Sequence, residues 1–302
     1  MNSIFRTSLV KIIAIVCCSF ILGYVYYETR TIPSNFPVGK HFIVEEGETL
    51  RSVSVRLEEE HFIYSALFFR IWISTLGRDR HLQLGEYIFN EKHVLGYMVK
   101  KFVSIGPDIP LISVTIPEGS TTYEVSQFMK KALPHFSPDI FGEKVFAKSA
   151  DGKLFPSTYF LLPSTTEERV VEIMTSTFTK KYKDTFSSET IRSPLKNEND
   201  VISLAAILEG EAKTKEDMQV VSGILQKRMT LGIRLQVDAA KETYTIKGLP
   251  EQPINNPGLI ALYATFHPIE SPYLYYITGK DGTMHYAKTF EEHKKNIQKY
   301  LR

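Results

Sequence analysis

The chain has 302 residues, 43% of them hydrophobic, enough to bury one large core or two smaller ones. Lysine and arginine number 36 against 34 aspartates and glutamates, a net charge of +2 with no long like-charge block, so bulk electrostatics give no reason to propose nucleic acid as a partner. The two cysteines, Cys17 and Cys18, both lie in an N-terminal apolar run, which excludes a structural disulfide in everything after it; neither cysteine spacing nor a His/Cys cluster marks a metal site, and no cofactor is expected.

From Ser8 to Tyr27 the chain is apolar except for Lys11, whose long stem can reach back to an interface. A helix over that stretch, rising about 1.5 Å per residue, spans roughly 30 Å, the hydrocarbon thickness of a bilayer. Arg6 and Lys11 stand at its start, while Glu28 and Arg30 nearly cancel at its end, so the positive-inside bias puts the N-terminus in the cytoplasm and the body outside. No small-x-small site follows Leu22, against a cleaved signal peptide, and bulky Val16 before Cys17 is against a lipoprotein. Residues 1–30 are therefore expected to be a cytoplasmic tip and a single transmembrane helix, with the body extracytoplasmic. Residues 31–40, with Pro33 and Pro37, read as a linker.

A small α+β unit is expected over 41–106. It opens with a strand pattern at Phe42 and Val44, turns at Gly47 and caps a helix with Thr49. "SALFFRIWISTLG" reads as a second helix, "LQLGEYIFN" as a strand entered through Gly85, and a short helix follows through Met98, Val99 and Phe102.

A second α+β unit is expected over 107–302. Its first strand (Ile112, Val114, Ile116) meets a turn at Pro117, Glu118 and Gly119, then a helix carrying Tyr123, Val125 and Phe128, with Ser120 or Thr121 as its cap. "DGKLFPSTYFL" reads as an aromatic loop packed on a core, "ERVVEIMTSTFTKKYKDTF" as an amphipathic helix, and residues 188–199 as a polar connection. A half-buried helix over about Asp200 to Ala212 precedes a second one, "KEDMQVVSGILQKRMTLG", closed by Gly232. "YLYYITGKDGTMHYAKT" forms a hairpin about Lys280-Asp281-Gly282.

The stretch "SLAAILEGEAKTKED" ends a half-buried helix on two carboxylates, Glu209 and Glu211. At 100° per residue they point about 160° apart, so a regular helix cannot bring them together as one acid–base pair. Glu211 continues the stripe of Leu204, Ile207 and Leu208, whose bulk should desolvate its carboxyl towards the range of a general acid. Glu209 lies with Ile202, Ala205 and Ala206, which leave room for a donor such as Arg228 on the next helix. Gly210 marks either the helix end or a close approach of ligand or backbone. The competing reading is a frayed, solvated helix end neutralised by Lys213 and Lys215, and the helix pattern by itself does not decide between them.

"LAAILEGEA", "VVSGILQKRMTLGIRLQVD", "TYTIKGLPEQPINNPGLIALYATFHP" and "YLYYITGKDGTMHYAKTFEEHKKN" resemble, in order, the motifs of the MltG (YceG-like) family of membrane-anchored endolytic murein transglycosylases. Upstream, "EGET", "LGEYIF", "TIPEGST" and "DGKLFPSTY" fit the same family, including its N-terminal LysM-like subdomain, so the likeness covers nearly the whole chain after residue 30. The resemblance implies a LysM-like subdomain over 41–106 and an α+β catalytic domain over 107–302. It also implies cleavage of the β-1,4 bond between N-acetylmuramic acid and N-acetylglucosamine in peptidoglycan glycan strands, with a 1,6-anhydro end as product. The family's essential glutamate maps to Glu211, with Glu209 and Arg228 in support. Gln236, Asp238, Tyr244, Asn256 and Glu118 match positions that line the family's cleft, and each also has a plain structural use. Work beside peptidoglycan synthases is implied as well.

The chain departs from the family pattern at "AAKE" (Ala239 to Glu242), where a longer segment is usual, and Glu242 stands where an asparagine is expected. Ala239 follows Asp238 in place of the usual proline, Ser157 replaces a common aspartate, and Asp151 replaces a glutamate. A shortened segment here would open the cleft, alter its reach or weaken activity, which keeps a catalytically weak peptidoglycan-binding module as the alternative. A hydrolytic muramidase would need a second carboxylate, for which Asp238 is the candidate.

Overall fold

The computed structural model describes residues 31–77 and 82–301, together with isolated helical positions between 16 and 30. The membrane-spanning segment expected over residues 8–27 lies outside the described residues apart from those positions. Among the described residues, no helix is long and apolar enough to cross a membrane. The chain is α+β, short antiparallel sheets among helices, and it divides into two compact units: Met1–Ile112 with Phe160–Pro163, and Ser113–Tyr159 with Ser164–Arg302.

In the first unit, β1 (His41–Val44), β2 (Gly85–Ile88) and β3 (Ile109–Pro110) form an antiparallel sheet in the order β1-β2-β3, with Phe42 opposite Tyr87. The alternation along β1 turns Phe42 and Val44 into the core. Helix α1 (Leu50–Glu59) starts at Thr49, whose hydroxyl accepts the Ser52 N–H while the Ser52 hydroxyl accepts the Thr49 N–H in return. Helix α2 (Ala66–Thr75) starts at Ser65, and α3 (Leu95–Lys100) runs on into a wider turn, Lys101–Ile105. Phe102 on that turn stacks on Tyr87 with 4.2 Å between ring centres. Gly85 is required where β2 begins: its φ is 144°, and a Cβ there would stand 2.6 Å from the Ile109 carbonyl oxygen.

The second unit opens with β4 (Ile112–Thr115) and α4 (Thr122–Ala132), which is capped by Thr121 with Glu124 reaching back to its N–H at 2.8 Å. Helix α5 (Pro138–Ala147) follows, and then strand β5 (Thr158–Leu161), whose last two residues count with the first unit. The end of the expected aromatic loop is thus a strand: Tyr159 and Leu161 are buried while Thr158 and Phe160 are exposed, a period-two pattern that Pro156 just ahead of it conceals. Thr115 and Thr158 share a hydroxyl hydrogen bond of 2.9 Å where β5 meets β4.

After α6 (Glu167–Phe186) comes α7 (Glu198–Glu211), capped by Asn197, then α8 (Lys215–Thr230), capped by Thr214. Gly232, at φ 67°, follows α8 in the left-handed conformation that closes helices. Helix α9 (Leu259–Phe266), strands β6 (Tyr275–Thr278) and β7 (Met284–Ala287), and α10 (Phe290–Tyr300) complete the unit. The expected hairpin is β6–β7, with Tyr276 opposite Tyr286.

Helix α7 differs from the half-buried helix the pattern predicts. Every residue from Val201 to Leu208 is buried, so no face of its middle two turns is solvated. At about 1.5–3 kcal/mol for each large apolar side chain removed from water, this is the element around which the unit condenses. Its last turn, carrying both glutamates, is held in place by that burial.

Candidate active site

Glu211 is the last residue of α7; Ala212 leaves the helix in an extended conformation. Because α7 stays helical to its end, the two glutamates diverge as a two-residue separation requires. Glu211 is half-buried on one wall of a cavity of about 560 Å³ that Arg228, Gln236, Asp238, Tyr244 and Tyr276 also line. Its Oε1 accepts the Ala239 backbone N–H at 3.0 Å and its Oε2 accepts the Tyr276 hydroxyl at 3.1 Å. Two donors on two oxygens fix the plane of the carboxyl, while each oxygen keeps a further lone pair for a ligand.

The short segment after Asp238 does not leave a gap. It is a tight turn closed by buried Thr243, whose hydroxyl accepts the Val237 N–H at 3.0 Å and donates to the Ala240 carbonyl at 2.6 Å. A one-turn helix, Lys241–Tyr244, returns the chain so that the Tyr244 hydroxyl donates to Asp238 Oδ1 at 2.8 Å. That bond, followed by burial, holds the Tyr244 hydroxyl above the ordinary tyrosine range. Gly210 explains itself here: a Cβ on it would stand 2.9 Å from the Ala239 Cβ, so the glycine between the glutamates lets the turn press its amide against Glu211. Of the two readings of Gly210, close backbone approach is the one realised, since the helix runs one residue beyond it.

Arg228, expected as a donor to Glu209, is instead buried beside the Glu211 cavity. It donates to the Leu235 carbonyl at 2.5 Å, and its guanidinium lies over the Tyr275 ring at 5.1 Å. The two faces of α7 lead to different places, and α8 packs on the Glu211 side. Gln236 and Asp238 are exposed at the cavity, Gln236 with a left-handed φ of 49°.

Three of the expected residues are gathered elsewhere. Glu209 Oε2 accepts the Gly258 N–H at 2.9 Å. Exposed Glu118 comes so close to Gly258 that any Cβ at that position would overlap its carboxylate. Asn256, expected at the substrate, is buried and spent on the fold: its Oδ1 accepts the Leu154 N–H at 2.8 Å and its Nδ2 donates to the Ser120 carbonyl at 2.8 Å. It secures the Glu118 turn and the Gly258 turn to each other.

Stripe bulk drew attention to the Glu211 carboxyl and gave no sign of what the structure does to Glu209. Burial raises its pKa above the usual carboxylate value, the Gly258 amide works against that, and Glu118 adds to the rise. Side-chain bulk along one helix does not report what other segments bring, here the Gly258 turn and a second carboxylate. A carboxyl whose pKa rises on folding contributes stability below its unfolded value and loses it as pH climbs through the folded one. Glu209→Gln should therefore melt higher than wild type at pH 7 and nearly with it at pH 4. Thermal melts at the two pH values check this, and an equal gap at both would refute it.

Tyr276, Tyr275 and His293 were not singled out in the sequence, and Ala239 was named there only as a departure from the family pattern. His293, from α10, stacks on Tyr275 at 5.4 Å, and burial first, with Arg228 second, lowers its pKa, favouring neutral imidazole. The hairpin that brings both tyrosines is tied to α8 by the Tyr286 hydroxyl, which donates to Asp217 Oδ1 at 2.7 Å. An aromatic-rich hairpin was legible; which of its tyrosines faces Glu211 was not, because several alternate along two short strands.

The model of the YceG-like family matches residues 42–242 and 241–299, most of the chain. The chain belongs to the YceG-like family. A Streptococcus pneumoniae (serotype 2, strain D39) protein named endolytic murein transglycosylase is 22% identical to this YceG-like chain over 361 residues, covering 98% of the chain and 65% of its own length. A Bacillus subtilis (strain 168) protein of the same name is 25% identical over 305 residues, covering 85% of the chain and 84% of its own length. The chain thus spans just under two thirds of the pneumococcal relative. The crystal structure of a yceG-like protein from Listeria monocytogenes shares the fold, with a TM-score of 0.52 and 21% identity over 85% of this chain and 99% of that one.

Proposed function

We infer that this YceG-like chain is an endolytic peptidoglycan lytic transglycosylase, cleaving the β-1,4 bond between N-acetylmuramic acid and N-acetylglucosamine within a strand. The observation that carries this is the Glu211 carboxyl, held by two donors at the wall of a cavity, in a chain whose relatives are named for that activity. Protonated Glu211 gives its proton to the glycosidic oxygen as the bond to C1 of the muramic sugar breaks through an oxocarbenium-like state. The resulting carboxylate takes the proton of that sugar's C6 hydroxyl as O6 bonds to C1, closing the 1,6-anhydro ring. No water enters, so no second carboxylate is needed to activate one, unlike glycosidases whose two carboxyl groups stand roughly 5–9.5 Å apart.

In this reading Gln236, Asp238 and Tyr244 contact the glycan and Arg228 keeps the cavity wall cationic. Glu118, Glu209 and Asn256 build the turns behind it. The apolar run at residues 8–27 supports a single-pass inner-membrane anchor with an extracytoplasmic body, and endolytic cutting beside the membrane suits work with peptidoglycan synthases. Residues 41–106 are proposed as the LysM-like subdomain. The binding-module alternative took its motive from a shortened cleft segment, and that segment instead donates to Glu211.

Asp238 in the same cavity supports a second reading, hydrolysis, in which it would activate water. Mass spectrometry of purified glycan strands treated with the full-length, membrane-embedded protein separates the readings. Transglycosylation leaves anhydromuramyl ends, and hydrolysis leaves ends heavier by one water. Absence of any new ends would overturn both.

A further inference from the structure

We propose that Tyr276 is the positioning residue of Glu211, its hydroxyl and the Ala239 amide forming a two-point clamp that aims the carboxyl and stabilises the anion left when its proton departs. This rests on the reading of Glu211 as acid and then base. The Tyr276 hydroxyl reaches Oε2 at 3.1 Å and the Ala239 N–H reaches Oε1 at 3.0 Å, so the carboxyl cannot turn about its last bond without losing both. Both donors are themselves anchored. Ala239 sits in the turn closed by Thr243 and lies against Gly210, and Tyr276 is paired with Tyr286, whose own hydroxyl is tied to Asp217 on α8.

Tyr276 acts only as a donor. Burial, and then the Glu211 carboxylate, hold its hydroxyl well above the ordinary tyrosine range, so it keeps its proton throughout. The titratable and charged groups that share the cavity with Glu211 are Arg228 from α8, Asp238 and Tyr244 from the short turn, Tyr275 and Tyr276 from β6, and His293 from α10. Tyr244 is engaged with Asp238, and Arg228 with the Leu235 carbonyl. Hydrogen bonds to an ionised carboxylate are stronger than those to a neutral carboxyl. The clamp therefore tightens as the proton moves to the glycosidic oxygen, and it relaxes when the C6 hydroxyl proton returns.

Tyr276→Phe removes the hydroxyl and keeps the ring. In the full-length, membrane-embedded protein acting on purified glycan strands, kcat should fall about 10–100-fold with KM within about twofold. Because Glu211 must start protonated and has lost a donor that favours the anion, the alkaline limb of the pH–rate profile should move up by about one pH unit. Replacing Tyr276 with 3-fluorotyrosine, a stronger donor of nearly the same shape, should move that limb the other way, and it decides the matter if the phenylalanine variant fails to fold. Unmoved limbs in an otherwise active protein overturn the proposal alone, whether or not kcat drops, since a merely structural tyrosine would lower kcat without shifting the profile. A wild type that makes no anhydromuramyl ends overturns the reading of Glu211 and this proposal together.

Discussion

Glu211→Gln should lower formation of anhydromuramyl ends by about 1,000-fold, within the range ascribed to a positioned general acid–base group, while leaving the fold intact. The glutamine is isosteric and its carbonyl oxygen still accepts the Ala239 amide, so the turn over Gly210 keeps its anchor. Its amide nitrogen faces the Tyr276 oxygen, which can accept in place of donating. What disappears is the proton that moves to the leaving oxygen and the carboxylate that later takes one back. Glu209→Gln is the control two residues away. Its carbonyl can still accept the Gly258 N–H, and the residue lies on the opposite side of α7 from the Glu211 cavity, so product formation should stay within about threefold of wild type. Product quantification by mass spectrometry, beside thermal melts of each variant, makes the comparison. Loss in Glu209→Gln with retention in Glu211→Gln would reverse the assignment.

Gly223→Ala should destabilise the protein by about 3 kcal/mol, although helix propensity predicts a gain of about 1 kcal/mol for the same change. Gly223 lies inside α8, where alanine is ordinarily preferred. Here a Cβ would overlap the backbone carbonyl oxygen of Ile269 and stand 3.0 Å from its carbonyl carbon. The obstacle is backbone, which no rotamer change relieves. The segment that approaches is also strapped to α8. The Ile269 N–H donates to the Gln219 carbonyl at 2.9 Å, Gln219 Nε2 to the His267 carbonyl at 2.7 Å, Gln226 Nε2 to the Thr265 carbonyl at 2.9 Å, and Lys227 Nζ to the Ser271 carbonyl at 3.2 Å. Admitting a methyl group means lengthening several of these at once. The melting temperature should fall by roughly 5–10 °C, and calorimetry would read it directly. An unchanged or raised melting temperature would mean that the segment yields easily and that propensity governs after all.

The amino-acid sequence by itself determined the local features. Thr49 and Thr121 announce helix starts through reciprocal hydrogen bonds within four residues, Gly232 announces a helix end, and the Lys280-Asp281-Gly282 turn sets the hairpin. Each depends on neighbours along the chain, so each is visible in a short window. Helices α5 and α10 carry signals of the same kind, Ser137 before Pro138 and Thr289 with Glu292, and were readable in principle. The divergence of Glu209 and Glu211 also follows from the sequence, because it needs only the helical repeat. The ordered run of motifs likewise revealed the family.

Tertiary structure alone decided what each carboxyl meets. Glu209 and Glu211 differ in surroundings because the Gly258 turn arrives on one side of α7 and the Ala239 turn and β6 arrive on the other, from 28 to 65 residues away. Stripe bulk on α7 contains no information about those arrivals, so it gave no sign of the burial that raises the Glu209 carboxyl and offered Arg228 to the wrong partner. Asn256 likewise matched a cleft position, yet its two hydrogen bonds run to Leu154 and Ser120, 102 and 136 residues distant. Local sequence specifies which groups are present and which way the backbone turns; the donor each carboxylate finds is set by long-range packing.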